Sequence, residues 1–162
     1  MNHQQEQLKN IVCKSLDTFN STESYFIEND LSERCICSRL AMHLTNALQD
    51  SEYRDYVVDV EYNRGANGKE YGVKKMDGHP ITVDLIVHKR GYDHHAGFIN
   101  LICIEMKKST DRRGCDDDIT RLRKMCSLHY AFYYPIGFML LVNMENKCIE
   151  IKETIILGEN TI

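Results

Sequence analysis

The run Leu101, Ile102, Cys103, Ile104 constrains this chain more than any other segment. Four successive apolar residues leave no polar face, so a strand here must be covered on both sides. A sheet buried on both faces implies helices packed above and below it, the layered α/β arrangement. The run ends in Glu105, Met106 and Lys107. Side chains two apart on a strand share a face, so the acid and the base point one way and Met106 the other.

The remaining elements follow from periodicity. Leu8, Ile11, Val12, Leu16 and Phe19 recur at helical spacing and predict a helix from Gln7 to Phe19, broken by Asn20, Ser21 and Thr22. A second helix is expected to begin at Asp30, with Glu33 completing a capping box, and to carry the stripe Ile36, Leu40, His43, Leu44, Ala47. Tyr56 to Tyr62 alternates as a half-exposed strand does; Asn63 to Gly72 reads as a glycine-rich loop, and Pro80 introduces a strand from Ile81 to His88. The loop Lys89 to Gly97 joins that strand to the next, Phe98 to Lys107, and the two are expected to pair antiparallel. Asp111 to Asp117 is a polar loop able to cap a third helix on Ile119, Leu122 and Cys126, which crosses over to a buried strand from Ile136 to Val142. After a turn at Asn143 to Lys147, Cys148 to Lys152 offers a short edge strand. The expectation is one α/β domain over residues 1–162, with a helical segment 1–29 ahead of a mixed sheet of about five strands flanked by helices.

Length and hydrophobic content (162 residues, 43%) match one core. The longest apolar runs fall far short of the ~20 residues of a membrane helix, and Met1 to Glu6 lacks a basic, hydrophobic leader, so a soluble cytoplasmic protein without a membrane partner is expected. Seven cysteines, one inside the apolar strand, fit reduced thiols; Cys35 and Cys37 are too close for a zinc knuckle. The net charge of -4 argues against coating nucleic acid by bulk charge. Between Lys107 and Lys124, however, seven bases crowd together with Asp111, Asp116, Asp117 and Asp118, either a solvated face or a local cationic groove.

Chemistry concentrates on few residues. Asp84 is a lone carboxylate in an apolar strand, where a buried acid pairs with a base, neutralises or binds a metal. If the two strands are neighbours, Asp84 falls near Glu105, and two carboxylates at one site repel unless a cation lies between them. Magnesium suits such a pair, since it takes one or two protein carboxylates plus waters, and the Met106 carbonyl is a further oxygen. Lys107, on the Glu105 face, can assist deprotonation of a water or stabilise charge developing on a phosphate. Glu33 aligns with the core-facing stripe of its helix, as part of a cap or as a third acid. The ordinary alternative for the trio is a structural ion pair at the sheet rim, and for Arg39 a solvated side chain. Asp93, His94 and His95 form a weaker metal candidate, because adjacent histidines diverge.

Pro80-Ile81-Thr82-Val83-Asp84, followed after twenty intervening residues by Glu105-Met106-Lys107, resembles the PD-(D/E)XK nuclease superfamily, the restriction-endonuclease-like fold. The segments Glu33 to Leu40, Val60 to Arg64, Asp84 to His88, Ile104 to Lys108 and Asp118 to Leu122 are similar, in that order, to small bacterial members, so the likeness runs from Glu33 to Val142. Here Pro80 stands four positions before Asp84 rather than beside it. The resemblance implies Asp84 and Glu105 as metal ligands, Lys107 as catalytic lysine, Glu33 as an additional acid, and Asp118 or Arg121 as polar residues from the following helix. Arg39 and Arg64 join Asp118 and Arg121 as candidates for substrate contact. The implied activity is a magnesium-dependent nuclease, with manganese (Mn2+) able to replace Mg2+, acting on nucleic acid and on DNA before RNA, from a monomer or a homodimer. The rival expectation is a nuclease-fold binding or regulatory module without catalysis.

Overall fold

The computed structural model of the chain describes residues 1–65, 68–90, 99–111 and 114–159. Helix α1 (His3–Thr22) starts earlier than its apolar stripe because Asn2 and Gln5 form a reciprocal capping box. A short helix α2 (Ser24–Glu28) leads into α3 (Glu33–Gln49). The expected Asp30–Glu33 capping box is not formed. Asp30 lies in the left-handed region (φ 51°), and Ser32, extended at φ -60° and ψ 151°, is the N-cap whose hydroxyl accepts the Cys35 N–H at 3.2 Å. The Glu33 side chain is thereby released from capping.

The main sheet has five strands: β1 (Val57–Tyr62), β6 (Val83–His88), β7 (Asn100–Lys108), β8 (Ile136–Asn143) and β9 (Cys148–Ile156), adjacent in that order. The β1–β6, β6–β7 and β8–β9 pairs are antiparallel, whereas β7 and β8 are parallel. Parallel neighbours need a crossover, and α4 (Cys115–Met125) supplies it. Its N-cap is Gly114 at φ 74°, not a side chain of the preceding polar loop; Asp116, Asp117 and Asp118 instead place negative charge at the positive end of the helix dipole. The chain is therefore α/β with a mixed sheet flanked by helices, α1 and α3 on one face and α4 on the other.

The expected glycine-rich loop, Asn63 to Gly72, carries most of one small ladder, β2 (Arg64–Gly65) with β3 (Gly68–Val73), and a second follows it, β4 (Lys75–Met76) with β5 (His79–Pro80). Between β4 and β5, Asp77 and Gly78 both have positive φ (52° and 81°), the backbone of a tight hairpin turn in which glycine is unstrained. Pro80 thus ends this hairpin rather than opening the next strand.

Both sheet faces are filled. Leu85, Val87, Ile102, Ile104 and Met106 pack with Leu8, Phe19, Leu40 and Leu44 of α1 and α3, while Ile86, Cys103 and Met139 pack with Ile119, Leu122 and Met125 of α4. Leu101 to Ile104 are wholly buried, each Leu or Ile contributing ~1.5–3 kcal/mol of burial free energy. Gly137 lets the end of α4 approach β8: a Cβ there would lie 3.0 Å from Cys126 Sγ and 3.1 Å from Cys103 Sγ. Among the described residues, no helix is long and apolar enough to cross a membrane.

Candidate functional site

The β6–β7 register pairs Leu85 with Ile104, so the next residues outward, Asp84 and Glu105, stand opposite each other. Opposed residues of an antiparallel pair share a face. Each carboxylate is anchored by the backbone of the other strand: Asp84 Oδ2 accepts the Met106 N–H at 2.8 Å, and Glu105 Oε2 accepts the Asp84 N–H at 3.4 Å. Both acids are held above their ordinary range. For Asp84 the cause is burial, opposed by the Met106 N–H; for Glu105, which is 2% exposed, burial acts first and the Asp84 charge second.

Two further elements deliver charge to this rim. The N-terminus of α3 brings Glu33, whose Oε1 accepts the Lys108 N–H at 2.9 Å and whose Oε2 lies 4.0 Å from Lys107 Nζ. The first turns of α4 bring Asp118 and Arg121, three apart and so on one side of the helix. Lys107 Nζ is 3.3 Å from Asp118 Oδ2, and that oxygen, though buried, has no hydrogen-bond partner among the described residues. Burial lowers the Lys107 ammonium's pKa, but Asp118 and then Glu33 outweigh it, so the net shift is upward and the group stays protonated.

Arg121 is the centre of the arrangement. Its guanidinium donates to Glu105 Oε1, to Asp118 Oδ1 (2.7 Å) and to the Thr82 carbonyl (3.3 Å). Four carboxylates, Glu33, Asp84, Glu105 and Asp118, face two bases, Lys107 and Arg121. By formal charge the carboxylates exceed the bases by two, an excess that Asp84 and Glu105 lessen by holding protons more readily than free acids do. With Arg121 between Glu105 and Asp118, no three of the described Asp, Glu, His or Cys residues converge as a metal cage. Asp84 and Glu105 are the two carboxylates that could hold magnesium, an ion that commonly takes only one or two protein carboxylates, while Asp118 Oδ2 is engaged by the Lys107 ammonium.

The other sequence candidates lie elsewhere. The Met106 side chain points into the α1/α3 core, its Sδ 3.7 Å from Cys37 Sγ, and only its backbone belongs to the rim. Arg39 is held by Glu23 at 2.6 Å and lies over the Phe26 ring, with His43 also on Glu23 at 3.1 Å; it does not join the cluster. Arg64, on β2, lines a separate cleft. Asp93, His94 and His95 lie outside the described residues. Beside the rim, a hollow of about 270 Å³ opens between the β4–β5 hairpin and α4, where His79, Arg121 and Lys124 face the acids Asp77 and Asp117.

Sequence reasoning missed Lys74, between β3 and β4. It also missed the chain His88 Nε2 to Asp59 Oδ2 (2.8 Å), whose carboxylate is shared with Arg90. A carboxylate in the alternating strand β1 was the available signal for the second; none marked the first. Comparison with protein-family models, with curated proteins and with solved structures gave no match.

Proposed function

We propose that this chain is a magnesium-dependent nuclease of the PD-(D/E)XK type, hydrolysing phosphodiester bonds in nucleic acid, DNA before RNA. The observation that carries the reading is the opposed Asp84–Glu105 pair, cross-anchored by backbone N–H groups, with Lys107 on the same rim. Asp84 and Glu105, with the Met106 carbonyl, would hold magnesium, which supplies Lewis acidity and a water of lowered pKa. Lys107 keeps its proton and orients the attacking solvent or meets the non-bridging phosphate oxygens. Glu33 and Asp118 position that ammonium. With magnesium on Glu105, Arg121 would be free to meet a phosphate at the edge of the adjoining hollow.

The test is incubation of the purified protein, with magnesium or manganese, with single-stranded, duplex and branched DNA and with RNA. Cleavage is expected, and Asp84→Ala and Lys107→Ala should each abolish it. Cleavage that survives either substitution, or none on any substrate, overturns the reading.

The bond from Arg121 to both Glu105 and Asp118 favours one second reading: a nuclease-fold binding module in which the guanidinium stands permanently where a metal would. Calorimetric titration separates the two. Saturable magnesium binding lost in Glu105→Ala belongs to the enzyme, and DNA binding indifferent to chelator belongs to the module.

A further inference from the structure

Lys74 joins the two small ladders, and its backbone is pinned on both sides: its N–H donates to the Asn63 carbonyl at 2.7 Å and its carbonyl accepts the Ile81 N–H at 2.9 Å. The side chain is directed inward. Its Nζ donates to the Tyr134 hydroxyl at 3.0 Å and sits 5.5 Å from the ring centroids of both Tyr62 and Tyr134. Among the described residues no carboxylate forms an ion pair with it. Burial pushes this ammonium down to about 8. At neutral pH this ammonium is still mostly charged but poorly solvated, so an anion that reaches it stabilises the charge that burial disfavours.

An open cleft of about 280 Å³ gives that access. Among the described residues Arg64, Lys75 and Lys89 line it with Lys74, against one acid, Asp77, which is already bonded to Lys124 and to the Tyr130 hydroxyl. Tyr62, Tyr130 and Phe132 supply aromatic wall. His88 forms part of the floor; its Nε2 is bonded to Asp59 and burial lowers its pKa, so it adds a neutral ring 4.6 Å from that of Tyr62. Rings select a flat apolar body, and clustered cations select a compact anion attached to it. The volume lies just under the usual range for ligand sites, about the size of one such unit.

We infer that this cleft binds a single aromatic ring carrying a phosphate, the chemistry of a nucleoside monophosphate or of a nucleotide at the end of a chain, with Lys74 and Arg64 on the phosphate and Tyr62, Tyr130 and Phe132 around the ring. The inference uses none of the Asp84, Glu105 or Lys107 chemistry and stands apart from the metal reading.

The test is calorimetry at neutral pH with EDTA present, which keeps the carboxylate rim out of the measurement. The probes are adenosine 5′-monophosphate, adenosine, inorganic phosphate and a 5′-phosphorylated dinucleotide. Saturable binding of the monophosphate is expected, with adenosine and inorganic phosphate each weaker by about tenfold or more, and a similar loss in Lys74→Met and in Arg64→Ala, as removal of a charge-assisted bond produces. The dinucleotide binding tighter than the monophosphate identifies a chain end, and the reverse a free nucleotide. Arg64 is itself exposed, so its variant remains informative if Lys74→Met fails to fold. No saturable binding, equal binding of adenosine and its monophosphate, phosphate binding as tightly as the monophosphate, or a folded variant that binds as the wild type does overturns the inference.

Discussion

Replacing Arg121 by alanine removes the one group that bonds both Glu105 and Asp118, carboxylates that are 3% and 8% exposed at the side chain. Breaking a buried ion pair from one side costs about 3–5 kcal/mol, and the low end applies because Arg121 itself is 26% exposed. For a chain of 162 residues each kcal/mol moves Tm by about 2–4 °C, so a loss of about 6–12 °C is expected once Glu105 is ionised in the variant. The loss should shrink on acidification. Glu105 already sits above the ordinary carboxylate range, through burial and the Asp84 charge, with Arg121 opposing both. Without Arg121 its pKa rises further. A carboxyl whose folded pKa exceeds its unfolded one binds more protons when folded, so stability falls as pH rises from the unfolded value through the folded one. The variant therefore meets its full penalty only above that window, and below it the protonated acid needs no partner. Calorimetric melting of both proteins across this pH range reads the difference directly. A gap below about 2 °C at high pH, or one that does not narrow on acidification, refutes the electrostatic role given to Arg121.

Two substitutions test the fold. Gly137→Ala drives a methyl against Cys126 Sγ and Cys103 Sγ, and a loss of about 1–3 kcal/mol in denaturant unfolding is expected; a variant as stable as the parent contradicts the close approach of α4 to β8. Ser32→Ala should cost about 1 kcal/mol as a lost N-cap, and a variant that melts as the parent does contradicts Ser32 as the cap of α3.

How far the sequence speaks depends on the range of the contacts. Asp84 opposite Glu105 was legible because strand period and antiparallel pairing are local rules, and the apolar run Leu101 to Ile104 left no doubt about which strand was central. The α4 crossover followed for the same reason. The cap of α3 was misassigned because Asp30 and Ser32 are both good cap residues, and only the left-handed turn at Asp30 decides between them. The hairpin at Asp77-Gly78 did leave its signal, an Asp-Gly pair, but strands of two residues are too short to show alternation. The bridge from Arg121 to Glu105 and the burial of Lys74 beside Tyr134 had no local mark. The latter joins residues 60 positions apart and exists only once β3, β4 and the segment after α4 have packed.

The mutual grip of Asp84 and Glu105 on the backbone of the facing strand ties the geometry of the rim to the ladder itself. A slip of β7 by one residue against β6 would send Glu105 to the face opposite Asp84 and, in the same step, push Cys103 out of one oily layer into another already full. Misaligned versions of the pair are thus eliminated by the hydrophobic interior, at no extra ordering cost to the acids. Whatever ligand they meet finds them aligned for as long as the protein stays folded.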